Sequence, residues 1–479
     1  MEPIPLQLIV PFHQPLSMGN DELTDACDRF YEPFIERIEA RPDFRLSVHF
    51  GGHLLDFLSK YREPLLMRIR GLVQRGQLEV LGGLFYGGLP ALLPEDDVRA
   101  QLAMGSEYWE SLLGDAPSGI WLPELAWTTD VPRFVSDTEL MYGFGSSSQF
   151  FRDEYPYRGM GMFERGGHGL PVHLLDDTLS RSLVGADVNR WIDSLVDRAG
   201  GIGAPPISVW VRGERLGFDA GSRTWAFDRG WLDAFMDALS GGREEIQTVR
   251  PIDSFEHTLP ITPLKFIHGC SDVIEPDAGG VSPVDWHDFM HVFPEVDTLT
   301  RRMLRASDKL RETIGTMEEE GVQNEWAGEL ATAQRLLFSS QSPDAYWRGR
   351  RAGFSDPRVR AATYERVLAA ESRIDALVQG DEDFIGEEEE DRDGDLRDEL
   401  FINTRYLTAW VSPEHGGRIR TLDDRLRGKT LFDVPPRRNE VFFHRAAEAP
   451  YSTAAELEAR GPRGPLDPLP RLEQDLPLD

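Results

Sequence analysis

Along the first 270 residues, short apolar runs alternate with amphipathic stretches. The runs Leu6–Phe12, Leu46–Phe50, Leu78–Leu81, Gly119–Leu122, Leu140–Phe144, Ile207–Val211 and Leu264–His268 have the length of buried strands. Between them, Asp21–Glu39 repeats Leu23, Cys27, Phe30, Phe34 and Ile38 at helical spacing, and Leu54–Val73 reads as another amphipathic helix. Short apolar strands separated by helices predict an α/β domain with a parallel sheet. In closed sheets of this kind, active groups gather at the C-terminal ends of the strands. His13, Glu124 and Arg212 each directly follow a predicted strand, so they are placed to share one rim.

The pattern changes further along. From Pro294 to about Gln379 the chain reads as helical, with Leu299, Met303, Leu304 and the Leu336-Leu-Phe338 run supplying apolar stripes. Residues 380–397 are dense in acids and predict an unburied linker. Glu399–Asn403, Leu407–Val411 and Arg418–Leu422 read as strands around the turn at Ser412-Pro-Glu-His-Gly-Gly417. After Arg445 the chain is rich in Pro and Glu and is expected to be disordered. The predicted divisions are 1–285, 286–379, 380–397, 398–445 and 446–479.

Composition narrows the function. The 479 residues suffice for two or three domains, and no run of 18 apolar residues suggests a membrane span. The N-terminus lacks the basic region of a signal peptide, so a cytoplasmic setting is expected. The net charge is −31, and the lysines are Lys60, Lys265, Lys309 and Lys429. Such a surface repels phosphate backbones and anionic lipids, which argues against nucleic-acid and membrane partners. Either adaptation to high salt or an Arg-favouring composition with added acidic tracts accounts for the charge. Cys27 and Cys270 have no metal-ligand spacing. A homodimer is compatible with the chain.

The candidate chemistry centres on Gly119-Ile-Trp-Leu-Pro-Glu-Leu-Ala-Trp127. Pro123 stops a strand, and Glu124 follows between Trp121 and Trp127. A carboxylate framed by indoles suits a carbohydrate nucleophile, since aromatic faces stack on sugar rings. The same residues fit a helix N-terminal Glu beside two core tryptophans. His49 and His53 have metal-pair spacing but no acid cluster, which favours structural roles. His268, Cys270 and Asp272 are a weak metal candidate.

Five segments in order resemble glycoside hydrolase family 57, the family of 4-α-glucanotransferases and α-amylases. They are Phe12-His-Gln-Pro15, Val80–Asp97, the Glu124 segment, Val211-Arg-Gly-Glu-Arg-Leu-Gly217 and Ser342-Pro-Asp-Ala-Tyr-Trp-Arg-Gly349. The likeness spans roughly residues 5–445. It implies a (β/α)7 barrel, a helical bundle over its mouth and a truncated C-terminal β-sandwich. It also implies an α-1,4-glucan or maltooligosaccharide substrate, Glu124 as nucleophile, and no cofactor or metal. His13, Asp344 and Trp347 match substrate-binding positions, and Trp121 beside the nucleophile is a candidate stacking surface. His13 has a second reading, as part of a turn after the first strand; Tyr346 and Trp347 have one as bundle core.

The departures are as informative. The family's fourth motif reads Asp-x-Glu-x-Phe-Gly, and its Asp is the acid/base; here Arg212 stands there. Pro11, Gly87 and Leu125 replace a His, a Glu and an Arg. A retaining glycosidase needs two carboxyl groups about 5–5.5 Å apart, one of them a proton donor. Arginine cannot donate, because its pKa lies above about 12. Beside Glu124 it would hold that carboxylate ionised. Glu214 is the candidate substitute, displaced by about 6.5 Å if the strand continues; Asp219 lies in the loop beyond. Two readings follow: an impaired α-glucan hydrolase or transferase, and a non-catalytic glucan-binding or scaffold protein.

Overall fold

The computed structural model describes residues 3–151, 159–199, 205–255, 262–267, 269, 286, 290, 294–346, 353–354, 356–380, 382–393 and 396–433. Among these, seven strands close a ring: β1 (Ile4–Phe12), β2 (Leu46–Phe50), β3 (Leu78–Gly82), β4 (Gly119–Ile120), β5 (Tyr142–Ser146), β6 (His168–Leu175) and β7 (Ile207–Trp210). Successive strands pair in parallel, and β7 returns to β1 with Leu6 opposite Ile207 and Ile9 opposite Trp210. Side chains alternate across the ring. Leu6, Leu8 and Val10 join the core beneath the helices, while Ile9 joins Leu81, Trp121, Tyr142 and Phe144 in a separate cluster inside the barrel.

The ring holds the expected number of strands but not the expected set. Leu264–His268 was assigned as the seventh strand. Instead Pro263–Phe266 pairs with Met160–Arg165 and Phe150–Phe151, outside the ring. The place belongs to β6, whose Pro171 argues against a central strand. Pro171 lies opposite Met162 of an antiparallel neighbour, and the ladder to β5 begins only at Val172, so the missing N–H breaks no ring pairing. The Gly119–Leu122 strand shortens to two residues, and Leu140–Phe144 shifts to Tyr142–Ser146.

The helices differ in one respect. The stripe from Leu23 to Ile38 is buried as expected, with a π-turn at Cys27–Tyr31 in its middle. The stretch Leu54–Val73 is two helices, α1 (Gly52–Tyr61) and α2 (Glu63–Gln74). Pro64 sits in the first turn of α2 and cannot continue a helix from α1, so the chain breaks at Arg62 (φ −137°).

A polar group sits inside the barrel. Glu79 is 6% exposed and accepts hydrogen bonds from the hydroxyls of Ser47 (3.2 Å) and Tyr142 and from the Ile252 N–H (3.4 Å). Burial pushes its carboxyl up to about 8 from an ordinary 4.5. Between these values the folded chain keeps a proton that the unfolded chain has lost. Stability from this group is therefore full below pH 4.5 and falls as pH rises toward 8, by up to ~1.4 kcal/mol per unit. Denaturant unfolding from pH 5 to 8 should show this decline, and Glu79→Gln should flatten it. Parallel curves for the two proteins would contradict the assignment.

Beyond the barrel, α3 (Pro294–Glu319), α4 (Ala327–Ser340) and α5 (Pro357–Gln379) pack together. Leu299, Met303, Leu337 and Phe338 are buried among them. Five antiparallel strands follow in sequence order: β8 (Ile385–Glu390), β9 (Glu399–Thr404), β10 (Leu407–Ser412), β11 (Arg418–Asp424) and β12 (Lys429–Asp433). The tract read as an acidic linker thus contains an edge strand. Its position explains this: among the described residues β8 pairs on one side only, its glutamates face water, and Glu388 and Glu390 pair with Arg392 and Arg305. Residues 434–479, including the expected tail, lie outside the described residues. Among the described residues, no helix is long and apolar enough to cross a membrane.

Candidate active site

The rim is assembled from the ends of β1, β4 and β7 and from the bundle. His13 directly follows β1. Its backbone N–H donates to Glu214 Oε1 (2.9 Å), and its Nε2 meets Asp344 Oδ1 (2.9 Å). Asp344 lies in a short 3₁₀ turn after α4, and its other oxygen accepts from Ser342 (2.8 Å). This pair joins barrel to bundle. Burial lowers the His13 imidazole, but Asp344, Glu214 and Glu124 outweigh it and leave its pKa above the ordinary value. Burial raises Asp344, but His13 and Ser342 bring its pKa below the usual carboxylate range. Asp344→Asn should therefore lower the His13 pKa, read by NMR titration of the imidazole. An unmoved titration would remove the pair.

Glu124 follows β4 in a turn of unusual backbone. Glu124 and Leu125 both have positive φ, 54° and 51°. Each left-handed non-glycine residue costs about 1–2 kcal/mol, so the surroundings must hold the turn. Leu125 is buried, and its carbonyl accepts from Gln149 Nε2 (2.7 Å). Gln149 also donates to the Gly269 carbonyl (3.1 Å), which receives the Trp127 N–H (3.0 Å) as well. The strain is thus fixed by a buried amide that the residue pattern does not reveal. Gly87 packs over this turn with φ 75°; a Cβ there would lie 3.3 Å from Pro123 and 3.5 Å from Pro343. Gly87 therefore touches the neighbours of both Glu124 and Asp344. Any side chain there meets a left-handed backbone as well as crowding.

Arg212 and Glu214 part company after β7. In an extended strand they would share a face. Instead the chain turns at once into a 3₁₀ helix, Gly213–Leu216. A Cβ at Gly213 would stand 2.0 Å from the Phe12 ring, so only glycine allows the turn. Glu214 swings inward, 3% exposed, and its Oε1 also accepts from the Tyr31 hydroxyl (2.9 Å), which receives Gln14 Nε2 (2.7 Å). Its Oε2 has no hydrogen-bond partner among the described residues, and Arg212 Nε stands 4.0 Å away. Burial raises the Glu214 pKa despite Arg212, the His13 N–H and Tyr31. Arg212 is half exposed and bonds Asp219 (2.5 Å).

Two expectations change here. Arg212 was expected to hold Glu124 ionised. Burial in fact raises the Glu124 pKa by more than Arg212 and His13 pull it down. Trp121 was expected on the rim. It is 2% exposed inside the barrel, against Trp210 (ring centroids 5.4 Å) and Phe144 (6.3 Å). Trp127 is equally covered, its indole donating to the Phe144 carbonyl (2.8 Å). Strand alternation turned Trp121 inward, so neither indole offers a face to a ligand. Trp210, at the end of β7, is the partly exposed ring of that cluster.

Other candidates resolve simply. His49 is buried, bonded to the Leu81 carbonyl (3.0 Å), and pushed down to about 4 by burial. His53 bonds the Met18 carbonyl (3.2 Å). Both are structural in these contacts. Trp347, His268, Cys270 and Asp272 lie outside the described residues. Among the described residues, three acids near enough to share a metal occur at Asp391, Asp393 and Glu399, in the C-terminal sheet, where Arg420 and the Arg392 N–H already engage Asp393 and Glu399. Tyr31 was missed because it sits in a helix whose neighbours Cys27, Phe30 and Phe34 all read as core.

The site thus holds Glu124 on a strained turn, an imidazole–carboxylate pair beside it, and a guanidinium just beyond the end of β7. Glu124 can attack an electrophilic carbon or stabilise positive charge. Arg212 can bind an oxygen but cannot deliver a proton to a leaving group.

Residues 8–260 match the model of glycosyl hydrolase family 57, and residues 285–374 match the middle domain of alpha-amylase/4-alpha-glucanotransferase. Among curated relatives, a 4-alpha-glucanotransferase of Thermococcus litoralis is 25% identical over 93% of this chain and 67% of its own length. Alpha-amylase 1 of Dictyoglomus thermophilum is 24% identical over 90% of this chain and 64% of its own. The chain thus spans about two thirds of the length of these relatives. The crystal structure of the Thermococcus litoralis 4-alpha-glucanotransferase superposes with a TM-score of 0.79 at 23% identity, covering 93% of this chain and 70% of that one.

Proposed function

The chain belongs to glycosyl hydrolase family 57, and on that premise we propose that it acts on α-1,4-glucans at Glu124, with catalysis impaired because Arg212 occupies the proton donor's position. The observation that carries this is the pair of rim positions: Glu124 is held in a strained, ordered turn, and the second residue after β7 is a half-exposed arginine. In the proposed reaction Glu124 is the nucleophile. His13 and Asp344 bind sugar hydroxyls, and Trp347 supplies the stacking face that Trp121 does not. Glu214 is an unsuited substitute donor for want of access rather than of a proton: its Oε1 is held by the His13 N–H and Tyr31, and its unpartnered Oε2 is buried. Arg212 and Gly87 together favour a second reading, a non-catalytic α-glucan-binding protein.

Turnover of maltooligosaccharides by the purified protein, beside Glu124→Gln, tests the proposal. Very weak turnover that vanishes in Glu124→Gln supports an impaired enzyme; none in either supports the binding protein. Ordinary turnover contradicts the impairment. Binding should outlast catalysis, because stacking needs no acid/base pair. Calorimetry with maltotetraose should show weak affinity, clearly lowered by Trp347→Ala and little by Glu124→Gln. No binding would end the glucan reading.

A further inference from the structure

A groove of about 540 Å³ opens between the barrel and the bundle. It is lined by α1, which contributes Asp56, Lys60 and Tyr61, by Tyr86, and by Arg335 of α4 and Arg366 of α5. His13, Glu124, Arg212, Glu214 and Asp344 do not line it. The volume suits a small molecule rather than a polymer.

The charge of this groove opposes that of the whole chain. Asp56 is its acid, and it is fully engaged: it accepts from the hydroxyls of Tyr86 (3.2 Å) and Tyr108 (2.9 Å) and from Arg335 (2.5 Å). Arg335 is therefore neutralised and lies over the Tyr108 and Phe85 rings. Lys60 and Arg366 are exposed and have no hydrogen-bond or ion-pair partner among the described residues. In a chain of net charge −31 with four lysines, two unpaired cations in one concavity make an uncommon local excess. A mobile anion is what such a pair lacks. Tyr61 adds a ring that is 58% exposed, steadied by Phe57 (ring centroids 5.2 Å). An exposed aromatic face in a concavity suits the apolar face of a sugar ring.

We propose that this groove is a second binding site, for a phosphorylated monosaccharide, with the phosphate held by Lys60 and Arg366 and the ring set on Tyr61. The proposal does not depend on catalysis at Glu124. Calorimetry of the full chain with glucose 6-phosphate, glucose and inorganic phosphate tests it. Glucose 6-phosphate should bind at least tenfold tighter than either fragment. Lys60→Gln and Arg366→Gln should each weaken it about tenfold, the loss expected for one charge-assisted contact, with unchanged melting temperature. Tyr61→Ala should weaken it without changing the affinity for inorganic phosphate. Glu124→Gln and added maltotetraose should leave it unaffected. Four outcomes overturn the proposal: no binding of glucose 6-phosphate, equal binding of inorganic phosphate, indifference to both charge removals, or competition by maltotetraose, which would place the ligand at the rim.

Discussion

Arg212→Asp is expected to raise maltooligosaccharide turnover by about 10²- to 10⁴-fold over the wild-type protein. That is the range general acid catalysis supplies on its own. The position follows β7 on the rim that carries Glu124 and His13, and its side chain is half exposed. An aspartate there would face Asp219, Glu214 and Glu124, the charges that now act on Arg212. Like charges raise a carboxyl's pKa, which is the condition a proton donor needs near neutral pH. Removing the guanidinium would also take away a cation that pulls Glu124 down. The gain should therefore come with a bell-shaped pH profile, one limb from each carboxyl. Arg212→Ala is the control: it removes the cation without adding a donor and should gain little. An Arg212→Asp protein that folds and binds maltotetraose but turns over no faster would show that Gly87 and Pro11 mark losses a single donor does not repair.

What the residue pattern could reveal depended on where each side chain's neighbours lie in sequence. Strand ends were legible, because a short apolar run stopped by Pro or a polar residue states its own boundary. His13, Glu124 and Arg212 consequently fell on one rim as expected. The direction of a side chain beyond a strand was not legible. Glu214 was placed by assuming that β7 continues, and the turn that redirects it runs so close to Phe12, a residue on another strand, that it needs glycine at 213. Trp121 was misplaced for a related reason: just beyond the two-residue β4, nothing local says whether the indole faces the rim or the barrel interior. Gln149 carried no local signal at all, since its two acceptors are carbonyls at Leu125 and Gly269. The seventh strand was missed because Pro171 is a poor strand residue everywhere except where its neighbour needs no N–H. The acidic strand β8 was hidden by its composition, which is tolerable only because the edge of a sheet is wet.

Arg302→Met should lower stability by about 3–5 kcal/mol, as expected when a buried charge loses its partner. Arg302 on α3 is 4% exposed and forms a two-point pair with Glu371 on α5 (3.1 and 2.7 Å). The same guanidinium donates to Asp423 on β11 (2.8 Å), which is wholly buried. One arginine thus ties two helices to the sheet. Burial lowers its pKa, but the two carboxylates outweigh that and leave it firmly charged. Methionine would fill much of the volume against Tyr364, so the loss reflects electrostatics rather than a cavity. Two carboxylates would remain, one with no access to water, and each would have to be desolvated unpaired or protonated. Asp423→Leu added to Arg302→Met should therefore recover more than half of the deficit. Urea unfolding of the three proteins at pH 8 measures both the loss and the recovery. A loss below 1 kcal/mol at pH 8, or a double variant no more stable than the single one, would mean that the sheet docks on the bundle through its apolar contacts and that the charges merely accompany them.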